Sequence, residues 1–90
     1  MTIILSSQAQ EDRRWWLDNG DRKSLDKIQK LMAEIESHPK TGTGRVERLK
    51  GNLSGCWSRR INLKDRIIYD IDEKKGEVFV YTLKGHYNDK

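Results

Sequence analysis

The spacing of apolar residues changes once along this chain, at the stretch "HPKTGTG" (38–44). Before it the period is helical. "TIIL" near the start is a short β-type run. Ser7 follows, with Gln10 three residues on, a capping-box spacing that predicts a helix over 8–19. Gly20 suits the end of that helix, and Asp21 is placed to cap a second one. In the second, Leu25, Ile28, Leu31, Met32 and Ile35 fall on one side, and Pro39 stops it. Joined by the turn around "NGD", the two helices are expected to form a hairpin.

After the glycine-rich loop the pattern alternates: "VERLK", "CWSRRI", "RIIYDI" and "EVFVYTLK", separated by "GNLSG", "NLKD" and "DEKKG". Strands joined this tightly pair antiparallel, which predicts a twisted meander with the helical hairpin on one face. The N-terminal strand joins at an edge or beside a central strand. The fold class is therefore α+β, in a single domain spanning 1–90 with no linker or internal repeat.

Alternation also sorts residues by face. Trp57, Arg59 and Ile61 share one face, with Ile67, Tyr69 and Ile71 beside them toward the core. Cys56, Ser58, Arg60, Arg66, Ile68 and Asp70 fall on the open side. On the first helix Trp15 and Trp16 sit about 100° apart. The expectation is that Trp16 and Leu17 pack on the sheet while Trp15 covers the helix edge, a partner contact being the competing reading for Trp15.

Composition narrows the class. The chain is 34% apolar and 36% charged, polar for a globular domain, but three Trp and regular aliphatic spacing favour a folded core over disorder. Only four apolar-leaning residues follow Met1 before "SSQAQEDRR", so neither a signal peptide nor a membrane span is expected, and the cytoplasm is the expected location. A single Cys56 with two distant His makes no zinc pattern. No metal or other cofactor is expected.

Charge is unevenly spread. Of the net +4, the stretch from Arg45 to Arg66 holds +5 and the remainder −1. Clustered Lys and Arg are what a phosphate-bearing partner requires, a solvated charged surface being the plainer reading. Arg60 and Arg66, across the "NLKD" turn, are expected side by side on the open face as a basic concavity.

Glu47 is the carboxylate of that region, set between Arg45, Arg48 and Lys50. It reads either as one half of a cross-strand salt bridge or as a general base. His86 adds a group that donates a proton near neutral pH, and Tyr87 a ring for stacking on an unpaired base. Together these parts fit RNA cleavage by internal transesterification: a base takes the 2′-hydroxyl proton, cations stabilise the phosphorane, and an acid protonates the departing 5′-oxygen. DNA lacks the 2′-hydroxyl.

The stretch "ERLKGNLSGCWSRRINLKDRIIYDI" with the terminal His-Tyr resembles the YoeB (Txe) family of toxins in the RelE/ParE superfamily, along essentially the whole chain. The resemblance implies a RelE-like fold and an mRNA interferase that cuts the message in the ribosomal A site, beside 16S rRNA, until a YefM-like antitoxin binds. It implies Glu47 as base, Lys50, Arg60 and Arg66 as phosphate contacts, His86 as proton donor and Tyr87 as the terminal tyrosine. The candidate site is thus Glu47, Arg66, His86 and Tyr87 for chemistry, with Arg45, Lys50, Arg59, Arg60 and Lys64 for RNA phosphates. Homodimers are a further implication. Departures from the family pattern are Cys56 in place of an aromatic, a longer "DEKKG" turn, and "NDK" after the His-Tyr. Two other readings compete: a non-catalytic nucleic-acid-binding module, and a ParE-like gyrase inhibitor.

Overall fold

A computed structural model of the chain describes residues 1–85; residues 86–90, and with them the expected roles of His86 and Tyr87, lie outside the described residues. Strand β1 (Thr2–Leu5) leads into helices α1 (Ser7–Asn19) and α2 (Arg22–Ser37). Strands β2 (Glu47–Arg48), β3 (Trp57–Arg60), β4 (Arg66–Asp72) and β5 (Glu77–Thr82) follow, with a 3₁₀ turn at Gly51–Leu53 between β2 and β3.

The four later strands form the expected antiparallel meander. β1 takes the outer edge of β5 and runs parallel to it, so the sheet is mixed, in the order β1-β5-β4-β3-β2. The hairpin covers one face. Its Ala9, Trp16, Leu31 and Ile35 close over Ile61, Ile67, Tyr69, Val78, Val80 and Leu83 in one core. Burying each large aliphatic or aromatic side chain is worth about 1.5–3 kcal/mol, so this cluster dominates the stability of so small a domain.

Helix boundaries follow local chemistry. Asp21 caps α2 as expected, its carboxylate accepting from the Ser24 N–H. For α1 the cap is Ser6, one residue before the expected Ser7. The reason lies in the sheet: the Ser6 hydroxyl donates to the Tyr81 carbonyl at 2.7 Å while accepting from the Ala9 N–H at 3.0 Å. Gly20 ends α1 with φ −75°, an ordinary backbone angle. What demands glycine there is space, because a Cβ would sit 2.6 Å from the Trp16 carbonyl oxygen.

Trp16 is buried as expected, whereas Leu17 is 61% exposed and does not pack on the sheet. Only one of three consecutive residues on a helix can point straight at the core, and Trp16 takes that direction. Trp15 stands edge-on to Trp16 at 5.1 Å, with the Lys84 ammonium 4.5 Å from its ring centroid.

Candidate functional site

The face of the sheet away from the helices is built from short cross-strand rows. In one, Arg60 of β3 is directly opposite Arg66 of β4. In the next, Glu47 of β2, Ser58 of β3, Ile68 of β4 and Thr82 of β5 stand in register. Glu47, Arg60 and Arg66 therefore share the open face, two residues or about 7 Å apart along the strands.

Placing two guanidinium-bearing residues opposite each other costs roughly 0.2–1 kcal/mol relative to neutral neighbours. A polyanion bound across the pair would reverse the sign of that term. Arg66 is buried and Arg60 half-buried, so a phosphate reaching them meets a field less screened by water than at an open surface.

Glu47 is exposed and takes part in no ion pair among the described residues, so the cross-strand salt bridge does not form. Arg48, next in the strand, turns to the other face, where its guanidinium lies 5.8 Å from the Trp57 ring centroid. The ring of three cations expected around Glu47 thus loses one member. Arg45, Lys50 and Lys64 are exposed. Arg45 sits in the left-handed region at φ 53°, at the corner where the loop turns into β2.

Arg59 is a correction. Its side chain is 0% exposed and lies on the core face, where no phosphate reaches it. The guanidinium donates to the His38 and Thr41 carbonyls at 2.6 and 2.7 Å, to Glu34 Oε1 at 3.0 Å, and through Nε to the Tyr69 hydroxyl at 3.1 Å. Tyr69 in turn donates to the Pro39 carbonyl at 2.6 Å. Arg59 thereby holds the 38–43 loop that delivers the chain to Arg45 and Glu47. Glu34 completes the lock: hydrogen bonds from the Thr43 N–H and hydroxyl, with Arg59 adding, hold its carboxyl below the ordinary 4.5.

Three further residues, absent from the sequence-based set, shape the site. The Ser58 hydroxyl is buried between Glu47 and Ile68 with no hydrogen-bond partner among the described residues. Asp12 accepts from the Leu83 N–H at 2.9 Å, while the Trp16 indole donates to the Leu83 carbonyl at 2.7 Å. Asp65 accepts from the Gly85 N–H at 2.8 Å, while the Arg66 N–H donates to the Gly85 carbonyl at 3.0 Å. The last described residues are thus gripped on both backbone groups at two alternate positions, immediately before His86 in the sequence. Gly85 has φ 81°, a conformation open to glycine and costly for other residues.

This sheet face, with its paired arginines and exposed glutamate, can be set against known proteins. The family model described as "YoeB-like toxin of bacterial type II toxin-antitoxin system" matches residues 5–87. The chain belongs to that family. Among its YoeB relatives, the toxin YoeB of Streptomyces coelicolor is 44% identical over 97% of this chain and 100% of its own. The YoeB/ParE toxin from Agrobacterium tumefaciens superposes with a TM-score of 0.88 at 29% identity, covering 97% of this chain and 100% of that one. YoeB of Staphylococcus aureus, solved in a heterotetrameric YoeB-YefM complex, superposes with a TM-score of 0.82 at 36% identity, covering 97% of this chain and 98% of that one. A YoeB dimer from Staphylococcus aureus has also been solved. The α+β architecture is that of the YoeB fold, and the chain is a type II toxin.

Proposed function

We propose that this toxin is a ribosome-dependent mRNA endoribonuclease, working in the bacterial cytoplasm and restrained by a YefM-like antitoxin. The observation that carries the reading is the shared open face of Glu47, Arg60 and Arg66, with the chain leading to His86 anchored on Asp65 and Arg66 beside it. Membership of the YoeB family and the staphylococcal YoeB-YefM complex support the antitoxin; the staphylococcal dimer supports self-association.

In the proposed reaction Glu47 takes the proton of a ribose 2′-hydroxyl, and the oxygen attacks the adjacent phosphorus. The P–O5′ bond breaks in line, leaving a 2′,3′-cyclic phosphate, and His86 gives its proton to the departing 5′-oxygen. Arg60 and Arg66 hold the equatorial oxygens of the phosphorane, where charge increases most. The scheme needs no metal-bound step. Arg45, Lys50 and Lys64 hold neighbouring phosphates of the message and of 16S rRNA, and Tyr87 stacks on an unpaired base.

The test is primer-extension mapping of messages after brief induction. Expected are cuts at a fixed position within translated codons, ending in 2′,3′-cyclic phosphates and absent with Glu47→Ala or His86→Ala. Intact messages with accumulated DNA breaks would assign the chain to the gyrase-poisoning branch instead. Cleavage undiminished in both variants would remove Glu47 and His86 from the mechanism.

A further inference from the structure

Beside the Glu47–Ser58–Ile68 row the open face sinks into a groove of about 600 Å³. Ile68 forms part of its lining, Asn52 of the 3₁₀ turn contributes on one side, and Tyr81 and Thr82 of β5 on the other. Cys56 and Asp70 also line it, in positions that strand alternation puts opposite each other. A β-bulge makes the Tyr81 side: both Tyr81 and Thr82 stand against Ile68, and the Ser6 hydroxyl bonds the Tyr81 carbonyl. The Tyr81 ring meets Phe79 edge-to-face at 4.9 Å, leaving both rings more than a third exposed on the open face.

The chemistry of this groove differs from that of the arginine pair beside it. Asp70 places a carboxylate there, about 7 Å along β4 from Ile68 and about twice that from Arg66. It forms no ion pair among the described residues; Oδ1 accepts from the Ile71 N–H at 2.8 Å. Burial, with the Asp70 charge adding, pushes the Cys56 thiol upward, so it stays a neutral wall. Lys84 lines the groove as well, so the groove carries one carboxylate and one ammonium. A flat group with hydrogen-bond donors on its edge would be held: Tyr81 offers a stacking surface and Asp70 a pure acceptor.

Among the four RNA bases, guanine presents two adjacent donors, N1–H and N2–H, on its Watson–Crick edge. Adenine and cytosine present one amino group beside an acceptor, and uracil's single N–H is flanked by two carbonyls. We infer that the groove is a nucleobase subsite in which Asp70 selects guanine next to the cleaved phosphate. The inference rests on the proposed RNA cleavage and adds a base preference carried by a residue outside the reacting set.

The experiment is a translated reporter with randomised codons, expressed briefly with the full-length wild type, Asp70→Ala or Asp70→Asn, with cut ends sequenced. For the wild type, guanine is enriched on the order of tenfold at one position flanking the cut. Asp70→Ala flattens that position while cleavage persists. Asp70→Asn, with one donor and one acceptor on its amide, moves the preference to adenine. Identical base distributions for all three proteins overturn the inference and leave the cleavage reading standing. So does an Asp70→Ala protein that melts normally and cuts nothing, since the carboxylate would then serve the reaction. No cutting by the wild type overturns both.

Discussion

The Asp65 carboxylate and the Gly85 backbone are joined across the sheet: Oδ1 accepts from the Gly85 N–H, and the Arg66 N–H, one residue on, donates to the Gly85 carbonyl. Asp65 itself is fixed by the turn it closes. Its Oδ2 accepts from the Asn62 amide, and Asn62 Oδ1 accepts from the Lys64 and Asp65 N–H groups. The turn that sets Arg66 in register therefore also sets where the chain toward His86 departs.

Asp65→Ala is accordingly expected to reduce single-turnover cleavage on programmed ribosomes by about tenfold or more while lowering stability by about 1–2 kcal/mol. Asp65→Asn keeps an acceptor for the Gly85 N–H and should recover part of the rate. Substrate affinity, which the proposed function assigns to Arg60 and Lys50, should change little in either. Equal losses of affinity and rate would show that Asp65 only supports the fold.

Arg59 and Arg60, adjacent in sequence, should separate cleanly in mutagenesis. Arg59→Ala leaves the Glu34 carboxylate and the His38 and Thr41 carbonyls without their donor and should cost about 3 kcal/mol, read as a lower urea midpoint. Arg60→Ala should leave the unfolding free energy within about 0.5 kcal/mol of wild type and weaken RNA binding.

Salt dependence gives a third measurement. For a single-stranded RNA oligomer the slope of log K against log salt falls by about 0.7 for each phosphate that the protein no longer neutralises. Arg60→Ala and Lys50→Ala should each flatten it by about that amount, and Arg59→Lys by none.

The Glu34 lock predicts a pH dependence. Its carboxyl is held below 4.5 chiefly by the two hydrogen bonds from Thr43, so the ionised form stabilises the folded state. That contribution is complete above 4.5 and is lost as pH falls through the lower folded value. Hydrogen exchange in the 38–43 loop should therefore quicken below 4.5, and Glu34→Gln should exchange faster at neutral pH with no further acid step.

The order of elements and the two faces of the sheet were legible because period two and period 3.6 survive in a chain this polar: Ile67, Tyr69 and Ile71 fall inward and Arg60, Arg66 and Ile68 outward. The same alternation puts Arg59 inward, yet its residue type suggested phosphate. Nothing local announces that the 38–43 loop turns its carbonyls toward that guanidinium. Ser6 displaced Ser7 as cap because Tyr81, 75 residues away, holds its hydroxyl. The roles of Asp12 and Asp65 are hidden in the sequence for the same reason: their partners are backbone amides of Leu83 and Gly85, which carry no side-chain signal. The parallel placement of β1 on β5 is likewise set by the strand order.

That strand order bears on when the toxin becomes dangerous. Among the described residues the one sheet neighbour of β1 is β5, and the grip of α1 on Leu83 spans 71 residues of chain. A ribosome making this protein extrudes β1 and α1 long before the segment they close upon has been translated. The sheet of this toxin can therefore close only after the codons for β5 and Leu83 have been read.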